Sequence, residues 1–512
     1  MKKSRFIVIM LLFVTINCFA NVLNVPENYQ IIQEAINESA HMDTILISNG
    51  IYNESIDFLG KSIIVASNFI LTEDTQDIEN TIIDANDSSF HVVNFINSES
   101  NNSKLIGLSI TGGNANGSEG FNRGGGIYCS NNSQPTIDNC QIYGNYATNT
   151  GGGIALEAFT GEVIISNCKI YNNYATGGGG IYLGSIQSGA IISNTELYNN
   201  TAVDGAAIMN LFTSSTLNHS SIYSNDATGT GSAIKAFNGF KVYKSLIYEN
   251  TSNSDAVITI SPLADESEPM LLLNSTIVNN SIPENATIEL SGNSKLLIVN
   301  SIISNYSEIE IIANNEDDTS QIEIDYSDIV RGQNSINIGL DCVLNWADNN
   351  IIADPNFALI NSSDFELLEN SPCIDTGTDN YTYNGTVIFN INQNQYNGTA
   401  PDMGCFESNY SISTNGETIH NQCRLSNFPN PFNPTTTINF FLNSTSNVEI
   451  EIYNTKGQKI NSLKKDNLSY GNQSIIWNGL NGRRELVNSG IYFYTLKVNN
   501  KLKAKSKCVL LK

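Results

Sequence analysis

Charge is what this 512-residue chain has little of: Asp, Glu, Lys and Arg make up only 15% of it, against about a quarter in typical globular chains. That argues for many turns and few solvent-facing helices, which are built from charged residues. Basic residues are scarcer than acidic ones. Taking the +3 of residues 1–20 and the +8 of residues 426–512 out of the net −25 leaves −36 on residues 21–425. A surface of that sign repels nucleic acid, so no nucleic-acid partner is expected, and it keeps a chain soluble. The four histidines, His41, His91, His219 and His420, are scattered, and there is no CxxC pair, which argues against a zinc site. Beyond residue 20 no apolar run approaches the length of a membrane-spanning helix, so an integral membrane protein is not expected.

What is present is repetition. Ile142-Tyr143-Gly144-Asn145 returns as Ile170-Tyr171-Asn172-Asn173 and Leu197-Tyr198-Asn199-Asn200, then in weaker copies ending at Asn225, Asn250, Asn280 and Asn305. These closing asparagines are 28, 27, 25, 25, 30 and 25 residues apart, a period that means a repeat architecture. A second phrase runs between the copies. Gly124-Gly125-Gly126-Ile127 recurs at Gly151 to Ile154 and Gly178 to Ile181, and degrades to Ala206-Ala207-Ile208 and Ser232-Ala233-Ile234. Each repeat therefore reads as one coil of three short strands, stacked on the next at about 4.8 Å. Ile142 and its equivalents point inward. The recurrent Asn sits at a turn, where its side chain tolerates a left-handed backbone, and a stack of them forms an amide ladder: Asn145, Asn173, Asn200, Asn225, Asn250, Asn280 and Asn305.

Residues 1–20 read as a secretory signal peptide: Lys2, Lys3 and Arg5, an apolar run from Phe6 to Ile16, and small residues before a cut after Ala20. Export permits disulfides among the remaining cysteines without fixing their pairing. Cys140 and Cys168 hold the same place in successive repeats and are expected one above the other. Tyr29 to Ala40 is a short amphipathic helix ahead of the strand Asp43 to Ile47, placed to cover the open edge of the first coil.

That helix, its strand and Gly50-Ile51-Tyr52-Asn53-Glu54 resemble the opening of pectin-lyase-like right-handed parallel β-helices. The Gly-Gly-Gly-Ile and Asn-x-Ala pattern looks like the repeats of polymorphic outer membrane proteins. Asp354-Pro355-Asn356-Phe357, then Ser371-Pro372-Cys373-Ile374-Asp375-Thr376-Gly377, then Asp402-Met403-Gly404-Cys405-Phe406-Glu407 are similar to the closing segment of surface β-helices of the choice-of-anchor type. Alanine is common in that family where this chain has Cys373 and Cys405, and their joint appearance implies a disulfide between them. PNPFNPTT from Pro429, IYNTKGQ from Ile452, WNGLNG from Trp477, SGIYFYTLKV from Ser489 and a basic end resemble the type A C-terminal sorting domain of the type IX secretion system. This resemblance implies the type IX machinery as a partner, passage across the outer membrane, and release or attachment to surface polysaccharide.

The expected fold is all-β: a right-handed parallel β-helix, then a small Ig-like β-sandwich. The expected divisions are a signal peptide at 1–20, a β-helix at 21–407 (cap and first coils 21–98, regular repeats 99–345, closing segment 346–407), a linker at 408–425 and the sandwich at 426–512.

Chemistry is harder to place. A uronate lyase needs carboxylate-bound Ca²⁺ and a basic side chain, and residues 21–425 hold ten Lys and Arg, with Lys235, Lys241 and Lys244 the one cluster in the core. A hydrolase needs paired carboxylates, and Asp317-Asp318 is the one adjacent aspartate pair. No catalytic residue and no metal ligand is assigned; no cofactor is required, and Ca²⁺ stays open. The outward row Tyr143, Tyr171, Tyr198, Tyr223 and Tyr248 is the candidate glycan-binding surface. The function expected is glycan binding or adhesion on the cell surface or in the medium, reached through the periplasm. A polysaccharide-degrading enzyme and a passive spacer are the alternatives. Seven near-identical copies make a scaffold, so any chemistry is expected where the phrase breaks down: around Asp204, Lys235 to Lys244 and Asn314 to Ser320.

Overall fold

The computed structural model describes residues 20–510 apart from short segments at 87–90, 119–121, 158–160, 185–188, 212–213, 238, 253–255, 263–267, 283–285, 306, 314–318, 360–363, 413–417, 421–424, 429, 431, 443–445, 469–470 and 500. The expected signal peptide thus lies outside the described residues except for Ala20. The chain from Val22 to Trp346 is a right-handed parallel solenoid with three faces. Face A has thirteen strands, from Val22–Val25 to Val343–Trp346. Face B has eleven, from Gly50–Tyr52 to Asp328–Ile329, and face C eleven, from Ile56–Asp57 to Ile336–Ile338. A strip of six two- to four-residue strands, Asn114–Ala115 to Thr251–Ser252, runs between faces B and C.

Register follows the repeats. Ile142 pairs with Ile170 and Ile170 with Leu197 on face B, while Ile127, Ile154, Ile181 and Ile208 align on face C. All of these side chains are buried in one continuous core. Gly124 takes φ +61°, which a Cβ would strain, and a Cβ on Gly125 would lie 2.4 Å from the Tyr146 carbonyl oxygen.

The seven asparagines form one directional ladder. The backbone N and Nδ2 of each donate to Oδ1 of the next, from Asn145 through Asn305, at 2.8–3.2 Å. Asn145 to Asn280 are buried, so each bond left unmade among them would cost about 1–3 kcal/mol. The left-handed conformation belongs not to these asparagines but to the residue before them: Gly144, Asn172, Asn199, Ser224, Glu249 and Asn279 have φ between 53° and 64°. The ladder ends where Asn305 N donates to Glu310 Oε1 (3.1 Å) and Asn305 Nδ2 to Thr287 Oγ1 (2.8 Å). Aligned amides leave a partial positive charge at that end, and a buried carboxylate meets it there.

Cys140 and Cys168 open a second ladder that the repeats did not announce. It continues through Thr195, Ser220, Ser245, Ser275, Ser301 and Ser327, each backbone N donating to the next hydroxyl at 3.0–3.4 Å.

The N-terminal end is capped by the helix Ile32–Glu38, which buries Ile32, Ala35 and Ile36 on the first coil. Both Glu54 oxygens accept from its first turn, from Ile32 N (2.8 Å) and Gln33 N (2.9 Å). Lys61 Nζ donates to the carbonyls of Ile36, Asn37 and Ser39 at its other end, at 2.6–2.8 Å. Opposite charges thus complement both poles of the helix.

Among the described residues the closing segment adds only a bridge from Ile351 to Asp328 on face B at the other end and does not cover it with a helix. It folds back along the outside. One hairpin, Phe357–Leu359 with Asp364–Leu367, packs Phe357, Phe365 and Leu367 on Leu246, Tyr248, Val278 and Ile302 of face B. A second, Asn380–Tyr383 with Thr386–Asn390, packs Phe389 on Leu273, Leu297 and Val299 of face A, and Tyr381 Oη donates to Glu323 (2.7 Å). The disulfide implied for Cys373 and Cys405 is not formed: both are free thiols, and Cys373 Sγ instead donates to Asp328 Oδ2 at 3.3 Å.

The segment expected as an unpatterned linker carries a hairpin, Tyr410–Ile412 with Thr418–His420. After it a three-stranded and a four-stranded antiparallel sheet enclose a core of Phe432, Ile450, Trp477, Tyr494 and Leu510.

Candidate functional site

The five tyrosines of face B stack on one another. Successive centroids lie 5.1, 4.8, 4.9 and 5.0 Å apart with planes within 18°, from Tyr143 to Tyr248. Each ring face therefore covers its neighbour, and edges and hydroxyls are what reach solvent. Tyr171 Oη donates to Gln141 (3.1 Å) and Tyr223 Oη to Glu196 (3.0 Å). Tyr248 is buried, with Phe365 of the closing segment 5.4 Å away. A second stack, Tyr146 on Tyr174 at 5.3 Å, lies on the strip beside it and is exposed.

A concavity open to solvent lies on face A. A groove of about 830 Å³ runs between the strands of successive coils and the second hairpin of the closing segment, lined by Thr216, Lys241, Glu268, Lys295, Gln321 and Tyr383. Asn384 and Gly385 form the hairpin tip with φ of 47° and 80°, the two left-handed residues that a tight turn of type I′ requires. Lys241 is half-buried and its ammonium lies 5.4 Å from the Tyr243 ring; burial holds its pKa below the usual lysine range. Neither Lys241 nor Lys295 makes an ion pair among the described residues.

At the other end of the same strands a cavity of about 320 Å³ is lined by Glu196, His219, Ser221, Tyr223 and Tyr248. Here the scaffold departs from its own rule. Asn139, Asn167, Asn194, Asn274 and Asn300 take the left-handed turn between faces A and B, but three coils place His219, Lys244 and Tyr326 there, at φ 46°, 46° and 47°, against a cost that asparagine largely avoids. Burial and then the Lys244 charge lower the His219 pKa.

Of the three places where the repeat breaks down, the structure brings Lys241 into the groove and Lys244 to the corner beside it. Lys235 is committed elsewhere, 3.1 Å from Asp204, which also accepts from Thr230. Asp317 and Asp318 lie outside the described residues. Lys295, Glu268 and Tyr383 escaped sequence reasoning, since nothing local joins them; the one available signal was that cations are rare in residues 21–425.

The acidic residues of the closing segment hold turns. Asp375 accepts from Thr399 N (3.0 Å), Asp402 from Asp375 N (2.9 Å) and Ser408 N (2.7 Å), and Glu407 from Asn397 N (2.9 Å) and Asp402 N (3.2 Å). Burial pushes Asp402 up to about 6, and burial with the Asp402 charge pushes Glu407 up to about 8. Among the described residues no group of three or more His, Cys, Asp or Glu is placed to hold a metal ion, and no helix is long and apolar enough to cross a membrane.

Comparison with known proteins agrees with this architecture. No curated protein matches the sequence. Among solved structures, dimeric latent PorU from Porphyromonas gingivalis is 27% identical over 17% of this chain, with a TM-score of 0.16, and the chain spans 9% of PorU's length. Pectate lyase Pel9A is 14% identical over 77% of this chain and 97% of its own, at TM-score 0.45. Tailspike protein gp49 of Acinetobacter baumannii bacteriophage Fri1, a capsular polysaccharide depolymerase, is 10% identical over 96% and 84%, at TM-score 0.27. Residues 68–252 match the family model of the right handed beta helix region and residues 408–511 that of the CHU_C type IX secretion signal domain. The chain is therefore a right-handed parallel β-helix joined to a type IX secretion signal, exported to the cell surface or the medium.

Proposed function

We propose that this exported β-helix binds an extended anionic glycan in the face A groove, with residues 426–512 serving export. The observation that carries the reading is the placement of Lys241 and Lys295 in one open groove of a solenoid whose residues 21–425 sum to −36. Elsewhere that charge repels an anion; here two ammonium groups two coils apart, about 10 Å along the axis, face a channel long enough for several sugar units. Thr216, Gln321 and Tyr383 add hydroxyl and amide groups that suit sugar hydroxyls. The phenol edges of Tyr143, Tyr171, Tyr198 and Tyr223 continue a polar, aromatic surface on the adjacent face. Titration calorimetry against matched acidic and neutral polysaccharides tests this. Binding is expected for the acidic chains, weakening with salt, and lost in Lys241→Ala/Lys295→Ala. Equal binding of neutral chains, or undiminished binding by the double variant, overturns it.

Cleavage of the bound glycan is the second reading. It is favoured by Glu268 and a lysine of depressed pKa lining the same groove. New reducing ends or unsaturated uronate, abolished by Lys241→Met, would establish it; binding without either product leaves the protein an adhesin.

A further inference from the structure

The floor of the face A groove changes character from coil to coil. Its lining comes from five successive coils, so the groove runs along the solenoid axis. Register sets the order: Thr216 pairs with Lys241 and Lys241 with Leu271, while Lys295, on the coil after Leu271, pairs with Gln321. Along the axis the groove therefore offers in turn the Thr216 hydroxyl, the Lys241 ammonium, apolar Leu271 with the Glu268 carboxylate just before its strand, the Lys295 ammonium and the Gln321 amide. Glu268 is exposed, and Lys241, Leu271 and Lys295 are half-buried. The charge sequence is neutral, positive, negative, positive, neutral. It is the same from either end, so it selects a pattern on a bound chain whichever way that chain runs.

Resting on the reading that an anionic glycan lies in this groove, we propose that it is a chain whose acidic residues alternate with neutral ones, one sugar unit to a coil. Coils repeat about every 4.8 Å, close to the length of one unit in an extended pyranose chain, so successive sugars meet successive coils. Lys295 stands two coils along the axis and two residues along the strand from Lys241, which puts their Cα atoms roughly 12 Å apart. That is about two sugar units, the spacing between acidic groups in an alternating chain and twice their spacing in a homopolymer of uronic acid. On the coil between the lysines a further carboxylate would meet Glu268, and like charges brought together in a binding site are penalised. Leu271 suits instead the C–H face of a neutral sugar, and the Glu268 carboxylate accepts from its hydroxyl or amide groups. Glu268 is thus the repulsive element that turns attraction for any polyanion into specificity for one pattern.

Two synthetic pentasaccharides of equal length and equal charge test this. Each carries two uronates among neutral hexoses, at the second and fourth units in one and at the second and third in the other. In titration calorimetry with the full chain, the alternating isomer should bind at least about tenfold more tightly than the adjacent one. Glu268→Gln should narrow that ratio to less than about threefold. Glu268→Lys makes three successive coils positive, and it should bind a pentasaccharide with uronates at all three central units more tightly than either isomer. Because Glu268 is exposed, both variants should keep the wild-type thermal transition. Equal binding of the two isomers by the wild-type chain, or a tenfold preference that survives in Glu268→Lys, overturns the alternation and leaves the anionic-glycan reading standing. Binding of neither isomer above that of the all-neutral pentasaccharide overturns that reading, and the alternation with it.

Discussion

The N-terminal and C-terminal ends of the solenoid solve the same problem by different means. At the first coil the chain spends seven residues on a helix, buries three of them, and holds both helix poles with Glu54 and Lys61. At the last coil the chain leaves the stack and wraps back over two outer faces. There it covers Val278, Ile302, Leu297 and Val299, positions filled by Tyr143 or Thr136 and similar residues in earlier coils. The difference teaches that an end can be left open when the closing segment is used for something else. Here its second hairpin supplies one wall of the groove, which a flat face could not provide.

Four experiments sharpen that contrast. The largest effect is expected at the closed end: Ile36→Asp buries an unpaired charge on the first coil and should cost at least about 4 kcal/mol in urea unfolding. Phe365→Ala comes next, since it empties the contact between the first hairpin and Tyr248. It should cost about 3 kcal/mol, read as faster hydrogen exchange at Leu367 and Tyr248; unchanged exchange would mean the hairpin is not anchored there.

The third contrast is in pH. Asp402 and Glu407 have pKa values raised to about 6 and about 8, so their contribution is fully present below the ordinary carboxylate range and is lost as pH rises through those values. Asp43, at the closed end, is shifted the other way: burial raises its pKa, but hydrogen bonds from Asn21 and Ala40 prevail and lower it. Its contribution is present above the ordinary aspartate value and lost as pH falls below it. Between about pH 5 and about pH 9, amides 397–408 should lose intrinsic-rate-corrected protection while amides 40–44 keep theirs. The smallest effect belongs to the C-terminal end, where Leu340, fully exposed, can be replaced by Asp with a change in urea-unfolding stability of less than about 0.5 kcal/mol.

Much of the scaffold was legible in the sequence. The spacing of Asn145 to Asn305 and of Ile127 to Ile234 predicted which residues stack, and the Tyr row faces outward as its place beside the inward Ile required. Glu54 was legible as a motif but not as a part; its role appears once the helix is seen above it. The hydroxyl ladder was hidden because cysteine, threonine and serine look unlike one another while offering a similar atom at the same position. Left-handed φ was assigned one residue too late, since both residues of an Asn-Asn pair suit it and only the buried one joins the ladder.

By itself, then, the sequence determined the pitch of the coil, its inward residues and the ladder that ties coil to coil, because identical neighbours must stack in one register. Only the tertiary structure decided what stands outside the coils. Lys241, Lys295 and Tyr383 share a groove, Cys373 faces Asp328 rather than Cys405, and among the described residues no strand follows the last coil on faces A and C. Those outcomes depend on where the closing segment lands, and that landing is set by apolar outer positions on distant coils, which no local pattern connects.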